Sequence, residues 1–388
     1  MTDERARLGE FSLLGGPLHR LGCRLGLVRD GTNTIRLGLV LGGVAWAVLA
    51  LLAFIEGIAP RVFSLSVIAG HVRLLLVVPL FFLCESWLDP RVTTFAGTLV
   101  RSGVVPSKAL PALDREIART IRRKDSWFVE AMCLLAAVLM SVSASYLHLS
   151  GTTGVFDPSR GVAGTTMTGL WYFGVCLTLV RFLMFRWLWR LGLWSYFLWR
   201  LARLDLQLVP THPDGAAGLG YLEVVHMHFT PLVLALSAIQ SASLAEELST
   251  GAVTFEAIYP VVALLIIVVA ALFVGPLFIF TPRLWACKVK GLSEYMEFAE
   301  RYVRGFDTKW LGTGAAPEEP LLGTADLQSL ADLNNSLSVV RTMRWVPATP
   351  QLLVTLAAPV LVALLPLLLL KYPITELAQK FIERISGL

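Results

Sequence analysis

Charged side chains are scarce in this chain: only 16% of its 388 residues are Asp, Glu, Lys or Arg, against about 25% in an ordinary soluble domain. That shortage, coupled to a high apolar content, excludes a disordered or collagen-like chain and argues against a soluble globular enzyme. Cysteine is sparse too. Cys23, Cys84, Cys133, Cys176 and Cys287 share no C-x-x-C spacing, which leaves no zinc knuckle and no disulfide framework to read. The cysteines within apolar blocks act as small hydrophobes. Catalytic signatures are missing: there is no Walker A string, no G-x-G-x-x-G, no G-x-S-x-G and no H-E-x-x-H. Glu223-Val-Val-His226 is a lone Glu-x-x-His, and His228 stands about 200° from His226 on a helix, so no second ligand pair completes a metal site. No catalytic residue, metal or cofactor is therefore expected. No small-residue cleavage site follows the first apolar block, and the polar stretch before it reads as a retained segment. Internal repeats are absent, which leaves an inverted-repeat transporter architecture without support.

What is abundant is apolar sequence. Ala, Val, Ile, Leu, Met, Phe, Trp, Tyr and Cys make up 55% of the chain, with 11 Trp and 20 Phe, and the mean hydropathy is +0.67. These residues are gathered into long blocks. A bilayer core of about 30 Å needs about 20 apolar residues of helix, because lipid cannot satisfy backbone amides. Residues 37–55, 66–87, 131–147, 167–180, 224–245, 258–281 and 347–370 meet or approach that length, the second with His71, Arg73 and Glu85 inside it. The expected fold class is an all-α polytopic membrane protein of about seven transmembrane helices.

Charge placement orients it. With the N-terminus in the cytoplasm, segments 1–36, 88–126, 186–221 and 282–348 hold 26 of the 33 Lys and Arg, as the positive-inside rule requires. Trp87, Trp127, Trp187, Trp285 and Trp345 fall at the same end. The organisation expected is a basic amphipathic segment over 1–36 and a six-helix region over 37–281 with a basic loop at 88–126. A cytoplasmic helical hairpin over 282–348 follows, then a last span with an amphipathic tail over 349–388. Leu14, Leu18, Leu21 and Leu25 predict a short interfacial helix within 8–28. The basic loop reads as a topology determinant beside anionic lipid, with nucleic acid or another acidic partner as the second reading.

An ionised side chain at membrane depth costs roughly 2.5–3.5 kcal/mol on insertion scales, so each is a candidate for function. Arg73 has Glu246 and Glu247 as its expected partners in depth. On an ideal helix His71 and Glu85 share a face, and Arg73 lies about 120° from Glu85 unless Pro79 bends the helix. Glu85, Glu130, Arg181, Arg186, Glu223 and His226 are expected near one level, as a structural network or a path for ions or protons. The string Thr211-His212-Pro213-Asp214-Gly215-Ala-Ala-Gly218-Leu-Gly220 predicts either a rigid turn or a cytoplasmic-mouth loop whose amides bind an anion. Gly275-Pro276 is the expected hinge of the sixth span.

Two functions follow as expectations. One is a channel or transporter for a small ion, lined by Arg73, Glu85, Glu130, Arg181, Glu223 and His226, in a bacterial-type inner membrane. The other is a non-transporting scaffold or signalling subunit acting through the hairpin over 282–348. An enzyme on lipid-linked phosphates would need His212 and Asp214 to face the arginines across an open pocket. The expected partners are the lipid bilayer and a small ion, a homo-oligomer is compatible with either function, and no nucleic acid is expected.

Overall fold

The computed structural model describes residues 11–28, 33–64, 67–149, 166–249, 251, 253–312 and 324–371. The amphipathic tail expected beyond Pro373 lies outside them. Among the described residues the chain is built from helices: α1 (Pro17–Arg24), α2 (Ile35–Ile55), α3 (Ile68–Arg101), α4 (Leu110–Lys124), α5 (Trp127–Leu149) and α6 (Met167–Leu201). After these come α7 (Tyr221–Met227), α8 (Thr230–Ser249), α9 (Ile258–Phe273), α10 (Thr281–Phe306), α11 (Ala325–Thr342) and α12 (Pro350–Lys371). Six helices are long and apolar enough to cross a membrane, counting α7 and α8 together, and α4 with α5 makes a seventh if that pair, bent by 44°, is one span. The chain is a multi-pass membrane protein. At the periphery α9 buries only 11% of its most apolar stretch against the rest.

Several elements depart from the sequence expectation for identifiable reasons. The second and fourth spans are helices of 34 and 35 residues, about 50 Å each, so they run well past a hydrocarbon layer. Counting apolar residues locates the lipid-facing part of such a helix and misses its polar continuation. In α3, Pro79 has no N–H for the Leu75 carbonyl, and the backbone widens just before it into a π turn over Arg73–Val77. One inserted residue rotates everything above it by about 100°. That swaps the expected faces. His71 turns to α2, accepting from Trp46 Nε1 at 2.9 Å, and its other nitrogen lies 2.8 Å from the Val62 carbonyl. Arg73 comes round to the side of Glu85, and both face α6.

The span expected over 224–245 is broken into α7 and α8 at His228 and Phe229. Pro231 cannot donate to the Met227 carbonyl, and the Thr230 hydroxyl does so instead at 2.5 Å. The sixth span is likewise split, by a 3₁₀ segment over Gly275–Phe280, at the Gly-Pro pair where a hinge was expected. A short helix lies within 8–28 as expected, but it does not carry the whole leucine stripe. Only Pro17–Arg24 is helical; Leu21 and Leu25 are exposed, whereas Phe11, Leu13 and Leu14 are buried as an extended strap.

Packing is closest where glycine allows it. Gly38 and Gly42, four apart on α2, lie against α3, and a Cβ at Gly42 would stand 2.2 Å from the Leu74 carbonyl oxygen. The aromatic centre of the bundle is Phe81, Phe82, Phe95, Trp194, Phe197, Phe229 and Phe273, drawn from α3, α6, α9 and the α7–α8 break. α10 and α11 run antiparallel: Lys288 Nζ donates to the Met343 carbonyl at 2.7 Å, and at the other end Tyr302 Oη donates to the Asp326 carbonyl at 3.0 Å.

Candidate functional site

The densest buried charge lies between α3, α5 and α6. Glu85 on α3 is almost fully enclosed, and its Oε1 accepts from Arg186 Nη1 at 2.5 Å and Arg190 Nη1 at 2.6 Å, both from α6. Arg186 Nε also reaches Glu130 Oε1 on α5 at 3.1 Å. Arg186 and Arg190, four residues apart, lie on one face of α6, which is why one carboxylate can serve both. Glu85 Oε2 is buried without a hydrogen-bond partner. Arg190 is enclosed as well, 4% exposed, because another part of the chain covers it.

That cover is the strap over residues 11–16. Its main chain is recognised atom by atom. The Gly15 carbonyl accepts from Arg186 Nη2 at 3.0 Å and from Arg190 Nη2 at 3.4 Å. Lys124 Nζ donates to the Ser12 carbonyl at 3.1 Å and to the Leu14 carbonyl. Asp89 Oδ1 accepts from the amides of Leu13 and Leu14 at 2.9 and 3.1 Å and from the Ser12 hydroxyl at 2.6 Å. The Gly16 amide reaches Asp125 at 3.2 Å, and the Leu18 amide reaches Glu130 Oε2 at 3.1 Å. Gly16 has φ 91°, and a Cβ there would fall 2.1 Å from Glu130 Oε1, so only glycine fits this close approach. Beside the strap a small cleft with room for about one water is lined by Gly15, Lys124, Glu130, Cys133, Trp189 and Arg190. Asp89, Lys124, Arg190 and the strap were missed from sequence. The signals that could have found them are the Gly15-Gly16 pair and an Asp-Pro step inside a helix.

His19, on α1 just beyond the strap, has its Nδ1 buried without a partner. Burial lowers its pKa below the ordinary value; Glu85 opposes that, and Arg186, Arg190 and Lys124 reinforce it.

The other residues expected near this cluster lie elsewhere. Arg73 donates to Tyr172 Oη at 2.7 Å and Ser243 Oγ at 2.8 Å, with Glu246 one turn further along α8 than Ser243. Arg181 donates to Ser141 on α5 at 3.0 Å, and Thr178 donates to the same hydroxyl at 2.9 Å. His226 accepts from Trp194 Nε1 at 3.1 Å. Because an indole N–H only donates, Nδ1 carries the ring proton, and it donates at 2.5 Å to the Phe273 carbonyl exposed where α9 ends. Glu223, three residues before His226, turns away to Arg344 Nη1 at 2.9 Å and to the Thr349 hydroxyl. Glu223 and His226 thus face different partners, and among the described residues no three His, Cys, Asp or Glu side chains come together with metal-binding geometry.

In the loop over 211–220 the free amides are already occupied. Asp214 accepts from the amides of Ala216, Gly218 and Gly220 at 2.8, 3.1 and 2.7 Å, and His212 Nδ1 lies 2.9 Å from its Oδ1. Burial alone would raise the Asp214 pKa, but those amides and His212 hold it below the usual carboxylate range. Gly218, at φ 97°, makes the turn, and Arg344 locks it by donating to the carbonyls of Asp214 and Gly215 at 2.5 and 2.8 Å. Asp214 thus takes three of the amides that an anion would use, and the loop closes on itself as a turn. Its acidic residue faces the loop's own backbone, away from the arginines of α6. No protein-family model, curated protein or solved structure matches this chain.

Proposed function

We propose that this chain is a multi-pass membrane scaffold or signalling subunit, whose buried charges hold helices and the N-terminal strap in register. One observation carries the reading: the ionised groups are divided among separate interfaces, each with its own partners. Arg73 sits with Tyr172 and Ser243, Arg181 with Ser141, Glu85 and Glu130 with two arginines and the strap, Glu223 with Arg344. Conduction of a small ion, the other expectation, needs polar groups that hand a charge from one to the next along a wet path. Local pairing within separate interfaces is what a packed scaffold needs.

The excess of Lys and Arg at one end supports a cytoplasmic N-terminus, and with that orientation in a bacterial-type inner membrane α10 and α11 would lie in the cytoplasm. Their exposed surface supports a partner-binding role. Trp285, Val289, Met296 and Val303 are 40–51% exposed and form one largely open stripe along α10, with Arg341 of α11 reaching the Met296 sulfur at 3.7 Å.

Two measurements test the reading. Protein reconstituted in liposomes with proton, potassium and chloride gradients should leak no faster than empty liposomes. A conductance that falls in Arg73→Ala or Glu223→Gln variants of unchanged fold would replace the scaffold with a transporter. In cells lacking the chromosomal gene, a Met296→Asp, Val303→Asp variant should fail to restore the wild-type phenotype while Arg73→Ala restores it in proportion to its abundance.

A further inference from the structure

The exposed side of α4 carries positive charge that the buried cluster does not use. Arg115, Arg119, Arg122 and Arg123 are all exposed and fall within about 100° of arc on the helix. Its opposite side, Leu113, Ile117 and Thr120, is buried. Arg119 and Arg200 share Glu116 Oε1 at 2.7 and 2.6 Å. Arg122, Arg123 and Arg203 have no carboxylate within ion-pair distance among the described residues. The chain then turns by 44° into α5, whose first residues, Trp127 and Phe128, are 69% and 60% exposed. Arg122 and Arg123 precede them by about 6–9 Å along the chain, within reach of the same depth.

We propose that this face binds the phosphodiester headgroup of an anionic phospholipid in the adjoining leaflet, with Arg119, Arg122 and Arg123 gathering the phosphate and Trp127 and Phe128 seated at the acyl boundary. Guanidiniums match phosphate oxygens, and exposed indole and phenyl rings mark the headgroup level. A single-stranded nucleic acid would need open rings on which to stack its bases. On the arginine face itself the Tyr196 and Trp199 rings are already covered, Arg123 lying 4.6 Å and Arg203 3.7 Å from their centroids, and the open pair, Trp127 and Phe128, begins the apolar helix α5, where acyl chains rather than bases meet it. Free phosphate would leave Trp127 and Phe128 without a role.

The test uses the full chain in neutral detergent, offered mixed micelles of phosphatidylcholine and phosphatidylglycerol, with retained lipid read by native mass spectrometry. Phosphatidylglycerol should be retained preferentially. An Arg122→Gln, Arg123→Gln variant should lose about fivefold of that preference for each guanidinium removed, whereas Lys290→Gln, Arg301→Gln on α10 should lose none. A photoactivatable phosphatidylglycerol should crosslink the unmodified chain within residues 115–128, a readout that does not depend on a variant folding. Equal retention of the two lipids, crosslinks confined to other segments, or displacement of phosphatidylglycerol by inorganic phosphate or by a single-stranded RNA at physiological salt would each overturn the proposal.

Discussion

Replacing Glu85 by Gln tests whether the buried cluster is structural. The substitution keeps the shape and one acceptor oxygen but removes the charge that two guanidiniums share at 2.5 and 2.6 Å. Arg186 then retains Glu130 at 3.1 Å and the Gly15 carbonyl, while Arg190 retains only that carbonyl at 3.4 Å among the strap contacts. Breaking a buried ion pair from one side typically costs about 3–5 kcal/mol, because the remaining charge stays desolvated. The neighbouring cleft admits about one water beside Arg190, which places the expected loss near the lower bound, about 3 kcal/mol. Glu130→Gln should cost less, about 1–2 kcal/mol, since its side chain is 13% exposed and water can replace part of what is lost. Converting Glu85, Arg186 and Arg190 together to Met, Leu and Met should recover part of that loss, to about 1–2 kcal/mol below the parent, because the carboxylate then left without its arginine, Glu130, is part-exposed and keeps the Leu18 amide, and the Gly15 carbonyl borders the cleft that admits a water. Equilibrium unfolding in mixed detergent micelles, followed by tryptophan fluorescence, measures all three. The reasoning fails if Glu85→Gln unfolds within about 0.5 kcal/mol of the parent, or if the triple variant is as unstable as the single one.

Three further outcomes follow from the geometry. Gly42→Ala should destabilise by about 1–3 kcal/mol, because its Cβ would meet the Leu74 carbonyl at 2.2 Å, whereas Gly43→Ala, with nothing within 4 Å, should be neutral or slightly stabilising in the same unfolding assay. Asp214→Ala should cost about 2 kcal/mol by stripping three backbone amides of their acceptor. Because the Asp214 pKa is lowered on folding, its contribution is present above the ordinary value of 3.8 and is lost as pH falls through the folded value, which unfolding curves at descending pH will show in the parent and not in the Ala variant. His19, whose pKa is lowered from 6.5 in the seated strap, favours the seated state in its neutral form. Seating is therefore fully supported above that value and weakens below it. Amide exchange over residues 13–16, corrected for intrinsic rate, should speed up between about pH 7.5 and 5.5, and His19→Gln should abolish the change.

The membrane class was legible because it depends on composition and block length, which are local. Helix breaks were legible at Gly275-Pro276 for the same reason, since proline acts on its own turn. The rotational consequence of Pro79 was not. A helix can answer a proline by kinking or by a π turn, and only the turn over Arg73–Val77 reverses which of His71 and Arg73 shares the face of Glu85. Pairing of the charges was legible in kind but not in membership. Glu85, Glu130 and Arg186 come together as the spans suggested, yet Glu223 finds Arg344, 121 residues away, and nothing in the spacing of either residue announces the other. Gly38 and Gly42 carried a readable small-residue signature of close helix approach. The Asp214 turn held a readable sign as well, an Asp placed before three glycine-rich amides it can cap itself.

The strap explains how two arginines come to be buried beside one glutamate. Glu85 offers a single engaged oxygen to both, Glu130 gives Arg186 a second carboxylate, and further guanidinium N–H groups are taken up by the Gly15 carbonyl, with Lys124 drawing on the carbonyls of Ser12 and Leu14. Carboxylates from Asp89, Asp125 and Glu130 take the intervening amides. Recognition of this kind reads backbone geometry far more than side-chain identity, so the register is fixed where a side chain cannot fit, at Gly16, and by the burial of Phe11 at the other end. Strap and seat are far apart in sequence, by 75 residues to Asp89 and 175 to Arg190. The seat is incomplete until α6 has been made, so Glu85, Arg186 and Arg190 can be fully enclosed only after residues 11–16 return to a bundle whose first half is already assembled. The cluster and the strap are therefore one structural unit: neither the buried charges nor the extended backbone is satisfied without the other.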